Sequence, residues 1–255
     1  MDELRLTIDD RIATLTIDRP QRRNAMNYEM WSALPDLMEQ VRTAPDVRVL
    51  VVRGGGEHFS AGADISEFST RRNGLDGARR YVDAVGRGER SIATLPIPTI
   101  AAVTGFCIGA GCEMALACDM RIAAADSRFG ITPANLGIVY SFVSTRQLVA
   151  TVGPAWAKQI LCGGELIDAP TALRIGLANE LHPADGLAAR VAELADTLAT
   201  RAQGSVRSAK QMVNEILDGQ DEESDADRAL YDEAALSADY VEGVAAFLAK
   251  RKPKF

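Results

Sequence analysis

Residues 99–119 read TIAAVTGFCIGAGCEMALACD. Thr99–Val103 is apolar and rich in β-branched residues, the mark of a buried strand. Glycines follow at 105, 109 and 111, and a helix is expected from about Gly111 to Ala117. A strand that feeds a glycine turn and then a helix leaves the first helical N–H groups unpaired, with partial positive charge. Two chemistries use that device. Dinucleotide binding wants G-x-G-x-x-G. Gly109 and Gly111 match it, but the third position is Met114, and Asp126 is the only stand-in for the ribose-binding acid. An oxyanion hole instead needs one such amide plus a second donor from elsewhere. The segment HFSAGADI, residues 58–65, supplies a candidate, since its small residues permit close backbone approach.

Outward from this centre the chain reads as an α/β protein. Leu4–Ile8 and Ile12–Ile17 alternate around Asp9-Asp10, which predicts a hairpin. Met26–Val41 has helical spacing, with Asn24 or Asn27 as cap. Val47–Val52 and Arg121–Ala125 are further strands, and strands alternating with helices indicate the class. Short helices are expected at Pro154–Leu161 and at Pro170–Ile175, the second capped by Asp168. Four longer ones are expected at Leu187–Ala202, Val206–Leu217, Asp225–Ser237 and Tyr240–Lys250. The division is a core over residues 1–200 and a helical C-terminal region over 201–255. A helical appendage with an apolar face suggests oligomerisation.

The totals exclude several functions. The chain has 255 residues, 47% apolar and 25% charged, with a formal net charge of −7. Such a balance speaks against a nucleic-acid partner or an acidic membrane surface. The four cysteines, Cys107, Cys112, Cys118 and Cys162, form no C-x-x-C pair, and only His58 and His182 accompany them. No metal site is expected, and the cysteines read as small buried residues in a reducing compartment. The start, MDELRL, lacks a basic and apolar leader, so a cytoplasmic protein is expected. Residues 97–118 imitate a membrane span, but Pro98 and the glycines fit a buried strand, turn and helix better.

Taken together, the two glycine turns are more specific than either alone. With RRNAMN (22–27), FSAGADI (59–65), GFCIGAGCEMALACDMRIAAADSRFG (105–130), NLGI (135–138), the segment 153–163, DAPTALRIGLANEL (168–181) and FLAKRKPKF (247–255), the chain resembles the crotonase, or enoyl-CoA hydratase/isomerase, superfamily. The resemblance covers nearly the whole length. It implies a spiral of ββα units, a helical C-terminal trimerisation region, and a homotrimer or a dimer of trimers. It implies an acyl-CoA thioester as ligand, with coenzyme A arriving as part of the substrate and no separate cofactor. The oxyanion donors fall on the amides of Ala63 and Ala110. Arg22, Arg23, Ala25 and Met26, with Ala61, Asp64 and Ile65, fall on the CoA-binding loops, and Gly109, Pro133 and Ala134 on the acyl pocket. The basic run Lys250, Arg251, Lys252 and Lys254 is either a partner's CoA contact or a solvated tail.

Hydration of a conjugated double bond needs a base for water and an acid for carbon. The family's first glutamate falls on Glu113. Its second belongs directly after Pro133, where this chain has Ala134. Losing one general acid or base costs about 10²–10⁴-fold. The run TPANLGIVY (132–140) also resembles the methylmalonyl-CoA decarboxylase branch, in which a tyrosine stands at the position of Tyr140. The leading expectation is therefore decarboxylation of a methylmalonyl-type thioester, with Tyr140 positioning the substrate carboxylate. The branch's histidine is absent here, since Ala63 occupies its place. The alternatives are a hydratase or isomerase using Glu113, alone or with an acid outside the motif such as Asp64 or Glu67, and an acyl-CoA-binding protein without catalysis.

Overall fold

In the computed structural model, which describes residues 3–255, the N-terminal hairpin forms as its alternation requires. Strands β1 (Leu4–Asp9) and β2 (Ile12–Ile17) pair antiparallel, with Leu6 opposite Leu15. From β2 onward the sheet is parallel: β3 (Val49–Gly54), β4 (Thr99–Val103), β6 (Met120–Ala124) and β9 (Glu180–His182) give the order β1-β2-β3-β4-β6-β9. A smaller sheet, β5-β7-β8, is built from Phe106–Ile108, Arg128–Gly130 and Ile167–Asp168.

Parallel strands covered on both faces read as continuous apolar runs, and β3 shows why. Leu50 and Val52 point into the main core, beside Ala101, Val103, Trp31 and Leu34. Val49 and Val51 point to the opposite face, where Leu187, Val191, Ala195 and Ala199 cover them with Ile100 and Ile122. The main core lies under helices α1 (Tyr28–Thr43), α3 (Gly74–Ala93) and α4 (Ala110–Ala117), with the single-turn α2 (Phe68–Arg71) leading into α3. The remaining helices are α5 (Phe142–Gly163), α6 (Ala169–Arg174), α7 (Leu187–Ala199), α8 (Gln203–Leu217), α9 (Asp225–Ala235) and α10 (Ala238–Leu248).

Several boundaries differ from the sequence expectation. Helix α1 begins at Tyr28, capped by Asn27, whose side chain accepts the Met30 amide at 2.8 Å. Asn24 is not its cap: it is wholly buried, with φ 58°, and its side-chain amide donates to the carbonyls of Gly55 and His58. Met26 lies before the helix, bridged to Ala63. The expected Pro154 helix is the second half of α5, which bends at Gly153 (φ 75°, ψ 165°). Helix α3 was not expected from the sequence: its four glycines lower helix propensity, although its apolar residues keep helical spacing. Gly88 is required there, since a Cβ would stand 2.7 Å from the Trp31 ring, and so α1 and α3 pack closely. Cys162 is exposed, unlike the other three cysteines. The apolar stretch 97–118 is strand, turn, strand and helix, and among the described residues no helix is long and apolar enough to cross a membrane.

Candidate active site

The two glycine turns meet because the chain between β3 and α2 runs beside β5. The Phe59 amide donates to the Thr104 carbonyl at 2.8 Å, Ser60 to Phe106 at 2.8 Å, and Ile108 back to Ser60 at 3.0 Å. The first turn is also tied to the 22–26 loop, where Ala61 donates to Arg23, Met26 to Gly62 and Asp64 to Met26. Gly62 has φ +110°, and a Cβ on it would lie 3.8 Å from the Ala110 amide nitrogen. Ala63 and Ala110 thus face one cavity of about 320 Å³. Among the described residues neither amide donates to a protein acceptor. Two unspent N–H groups, one of them at a helix start, make a receptor for a partial negative charge.

Glu113 lies one turn into α4 and lines the same cavity. Burial raises its carboxyl to about 7, while the hydroxyls of Ser144 and Tyr140 and the charge of Arg72 pull in the opposite direction. A carboxyl poised there can both take and return a proton near neutral pH. Tyr140 also lines the cavity, with its Oη buried and without a hydrogen-bond partner among the described residues. Burial first, and then the neighbouring Glu113 carboxylate, hold its phenol well above its ordinary value, so it stays neutral.

Behind these groups lies a second carboxyl. Glu89, on α3, is fully buried, and burial together with the Glu113 charge raises it to about 8. Its Oε1 is 2.8 Å from Ser144 Oγ, which is 2.6 Å from Ser141 Oγ, and Ser141 lines the cavity. The rest of the lining is mostly apolar. Among the described residues Arg72 is the one cation in it, with its guanidinium 4.7 Å from the Phe68 ring centre and 5.3 Å from that of Tyr81.

Of the residues singled out from sequence, Ala61, Ala63, Ile65, Gly109, Ala110, Glu113, Pro133 and Tyr140 line the cavity. Arg22 and Arg23 are exposed on the neighbouring loop, and Ala25 and Met26 lie within it, Met26 fully buried. Asp64 faces away: it pairs with Arg19 at 3.0 Å and caps the next turn through Ser66, whose hydrogen bond leads in holding its carboxyl low. Glu67 accepts the Tyr28 amide at 2.7 Å and is likewise outside the lining. Ala134 is exposed on the turn Pro133–Leu136, so no carboxylate enters the cavity from that position. Sequence reasoning missed Glu89, Ser141, Ser144 and Arg72. Glu89 sits in the polar run RGERS, which reads as a solvated helix face, and Ser141 signals only a helix cap.

Comparison with known proteins places the whole chain in one family. The family model described as enoyl-CoA hydratase/isomerase matches residues 7–255. A crotonyl-CoA hydratase of Syntrophomonas wolfei is 36% identical over 254 residues, covering 97% of this chain and 95% of that protein. A 2,3-dehydroadipyl-CoA hydratase of Escherichia coli is 32% identical, covering 100% and 99%. Among solved structures, an enoyl-CoA hydratase/isomerase family protein from Hyphomonas neptunium superposes with a TM-score of 0.95 at 35% identity, covering 99% of this chain and 97% of that one. With two free amides and a buried glutamate on one cavity, in a fold shared end to end with these proteins, the chain belongs to the enoyl-CoA hydratase/isomerase family, the crotonase superfamily of acyl-CoA enzymes.

Proposed function

We propose that the protein is an enoyl-CoA hydratase, adding water reversibly across the double bond of a 2-enoyl thioester. The observation that carries this reading is that the unpaired amides of Ala63 and Ala110 and the carboxyl of Glu113 line one cavity. The amides hold the thioester oxygen as it gains enolate charge. Glu113 takes the proton of the water that attacks the β-carbon. Coenzyme A enters as part of the substrate, with Arg22 and Arg23 on the exposed 22–26 loop available to its phosphates. Exposed apolar side chains on α10 and just before it, Leu236, Phe247 and Leu248, support assembly into a trimer or a dimer of trimers through residues 201–255.

Ala134 and Tyr140 favour a second reading, decarboxylation of a methylmalonyl-type thioester. Charge opposes it. A substrate carboxylate set against Tyr140 would meet Glu113 and, behind it, Glu89. The named activities of the relatives favour hydration as well.

The test is turnover of crotonyl-CoA and of methylmalonyl-CoA by the wild-type protein and by Glu113→Gln. Crotonyl-CoA should be hydrated, methylmalonyl-CoA should release no CO₂, and Glu113→Gln should lose about 10²–10⁴-fold in kcat. Release of CO₂ without hydration would replace this reading by the second. Tight thioester binding with no turnover of either would make the protein a binder.

A further inference from the structure

A hydratase whose one cavity glutamate is already occupied as the base for water gains from a separate donor for the α-carbon. We propose that Glu89, acting through the hydroxyls of Ser144 and Ser141, supplies the proton that a residue at Ala134 cannot. The inference rests on the hydratase reading above.

The hydrogen-bond geometry gives the relay its direction. Ser141 Oγ accepts the Ser144 backbone amide at 3.0 Å and lies 2.6 Å from Ser144 Oγ. Ser144 Oγ lies 2.8 Å from Glu89 Oε1. When Glu89 carries its proton, it donates to Ser144 Oγ and Ser144 donates to Ser141 Oγ. Ser141 then accepts twice, and its own hydrogen is left for the cavity that it lines. When Glu89 is ionised, the chain reverses, and Ser144 donates to the carboxylate. One state delivers a proton and the other receives one.

The protons balance over a turnover. Water loses a proton to the Glu113 carboxylate as its oxygen bonds to the β-carbon. The electron pair of the double bond passes to the α-carbon through the enolate, and the α-carbon takes the Ser141 hydroxyl proton. Ser144 replaces that proton, and Glu89 replaces the one from Ser144. Glu113 ends protonated and Glu89 ionised. Glu113 lines the cavity and gives its proton to water there, and the reversed chain takes one from the cavity through Ser141 and Ser144 back to Glu89. No outside reagent is required.

The burial of Glu89 supports this role over a purely structural one. Its Oε2 is buried without a partner among the described residues, and the Glu113 charge from α4 opposes its ionisation while Arg90 favours it. A carboxyl kept only for packing is no better than an amide there. As an indirect donor Glu89 is a positioning residue, and the variants must be read by more than loss of activity.

The experiment measures crotonyl-CoA hydration from pH 5.5 to about 9.5 for wild type, Glu89→Gln, Glu89→Asp, Ser141→Ala and Ser144→Ala, alongside butyryl-CoA binding. The relay predicts that Glu89→Gln lowers kcat about 10²–10³-fold with KM within about threefold, and that the alkaline limb of the pH profile disappears. Ser141→Ala should match it, and Glu89→Asp should restore part of the rate and the limb. If wild type hydrates crotonyl-CoA while Glu89→Gln keeps kcat within about threefold and an unchanged pH profile, the relay is wrong and the hydratase reading stands. If wild type does not hydrate crotonyl-CoA, both fall. Should Glu89→Gln fail to fold, Ser141→Ala decides by the same criteria.

Discussion

The Met26 amide donates to the Gly62 carbonyl at 2.7 Å and, with the Ala61–Arg23 and Asp64–Met26 bonds on either side, holds the 22–26 loop against the turn that carries the Ala63 amide. The turn depends on Gly62 itself, whose φ is +110° and whose missing Cβ leaves room for the Ile108 carbonyl, 3.0 Å from where that atom would stand. Gly62→Ala should therefore destabilise the fold by about 1–3 kcal/mol. Displacing the amide by a fraction of an ångström should also cut kcat by about 10²-fold. Urea denaturation and steady-state kinetics read the two effects separately. Full activity in a stable variant would show that the Ala63 amide is not an oxyanion donor.

Arg72 places a positive charge near Glu113 and lowers its proton affinity. Arg72→Ala removes that charge, so the Glu113 carboxyl should move further above 7. Since Glu113 must be ionised to act as base, the acid limb of the kcat/KM profile should shift to higher pH, not lower. The loss of the guanidinium from the Phe68 and Tyr81 rings should cost about 0.5–1 kcal/mol of stability. A pH–rate profile with Arg72→Gln as control checks the sign.

Glu89 carries a stability signature independent of activity. Its carboxyl is raised to about 8 in the folded protein, against an ordinary 4.5. The folded state therefore binds more protons than the unfolded state between those two values. Stability contributed by the neutral carboxyl is fully present below pH 4.5 and is lost as pH rises through 8. Glu89→Gln removes the titration. It should be close to neutral at pH 5 and stabilising by about 2–4 kcal/mol at pH 9. Chemical denaturation at the two pH values gives the comparison.

Lys210 anchors α8 to the core. Its ammonium group, with the side chain only 8% exposed, donates to the Ile97 carbonyl at 2.9 Å and to Asp119 at 2.8 Å. Asp119 in turn accepts the Thr99 amide at the start of β4. Lys210→Met should cost about 1–3 kcal/mol, because Asp119 is left partly buried without its cation. Hydrogen exchange should rise in α8 before it rises in the β4 region.

Local chemistry made much of the frame legible. The alternation of Leu4–Ile17, the β-branched run in β3 and the strand-to-helix turn at 99–117 are properties of adjacent residues, and the structure places those elements within two residues of their expected bounds. Helix α3 escaped because its glycines suppress propensity, although close packing against Trp31 requires one of them. The two turns were legible because a backbone donor needs only small residues, while Ala63, Ala110 and Glu113 themselves were placed by the resemblance to the family.

What the sequence by itself determined is strands β1 to β4 and β6, the two glycine turns, and the lack of a carboxylate after Pro133. The tertiary structure alone decided what surrounds that gap. Glu89 and Ser144 are 55 positions apart, and only the packing of α3 against the start of α5 brings them to hydrogen-bonding distance. The same packing removes both carboxyls from water, and desolvation sets their proton affinity, a quantity that no local pattern of residues contains.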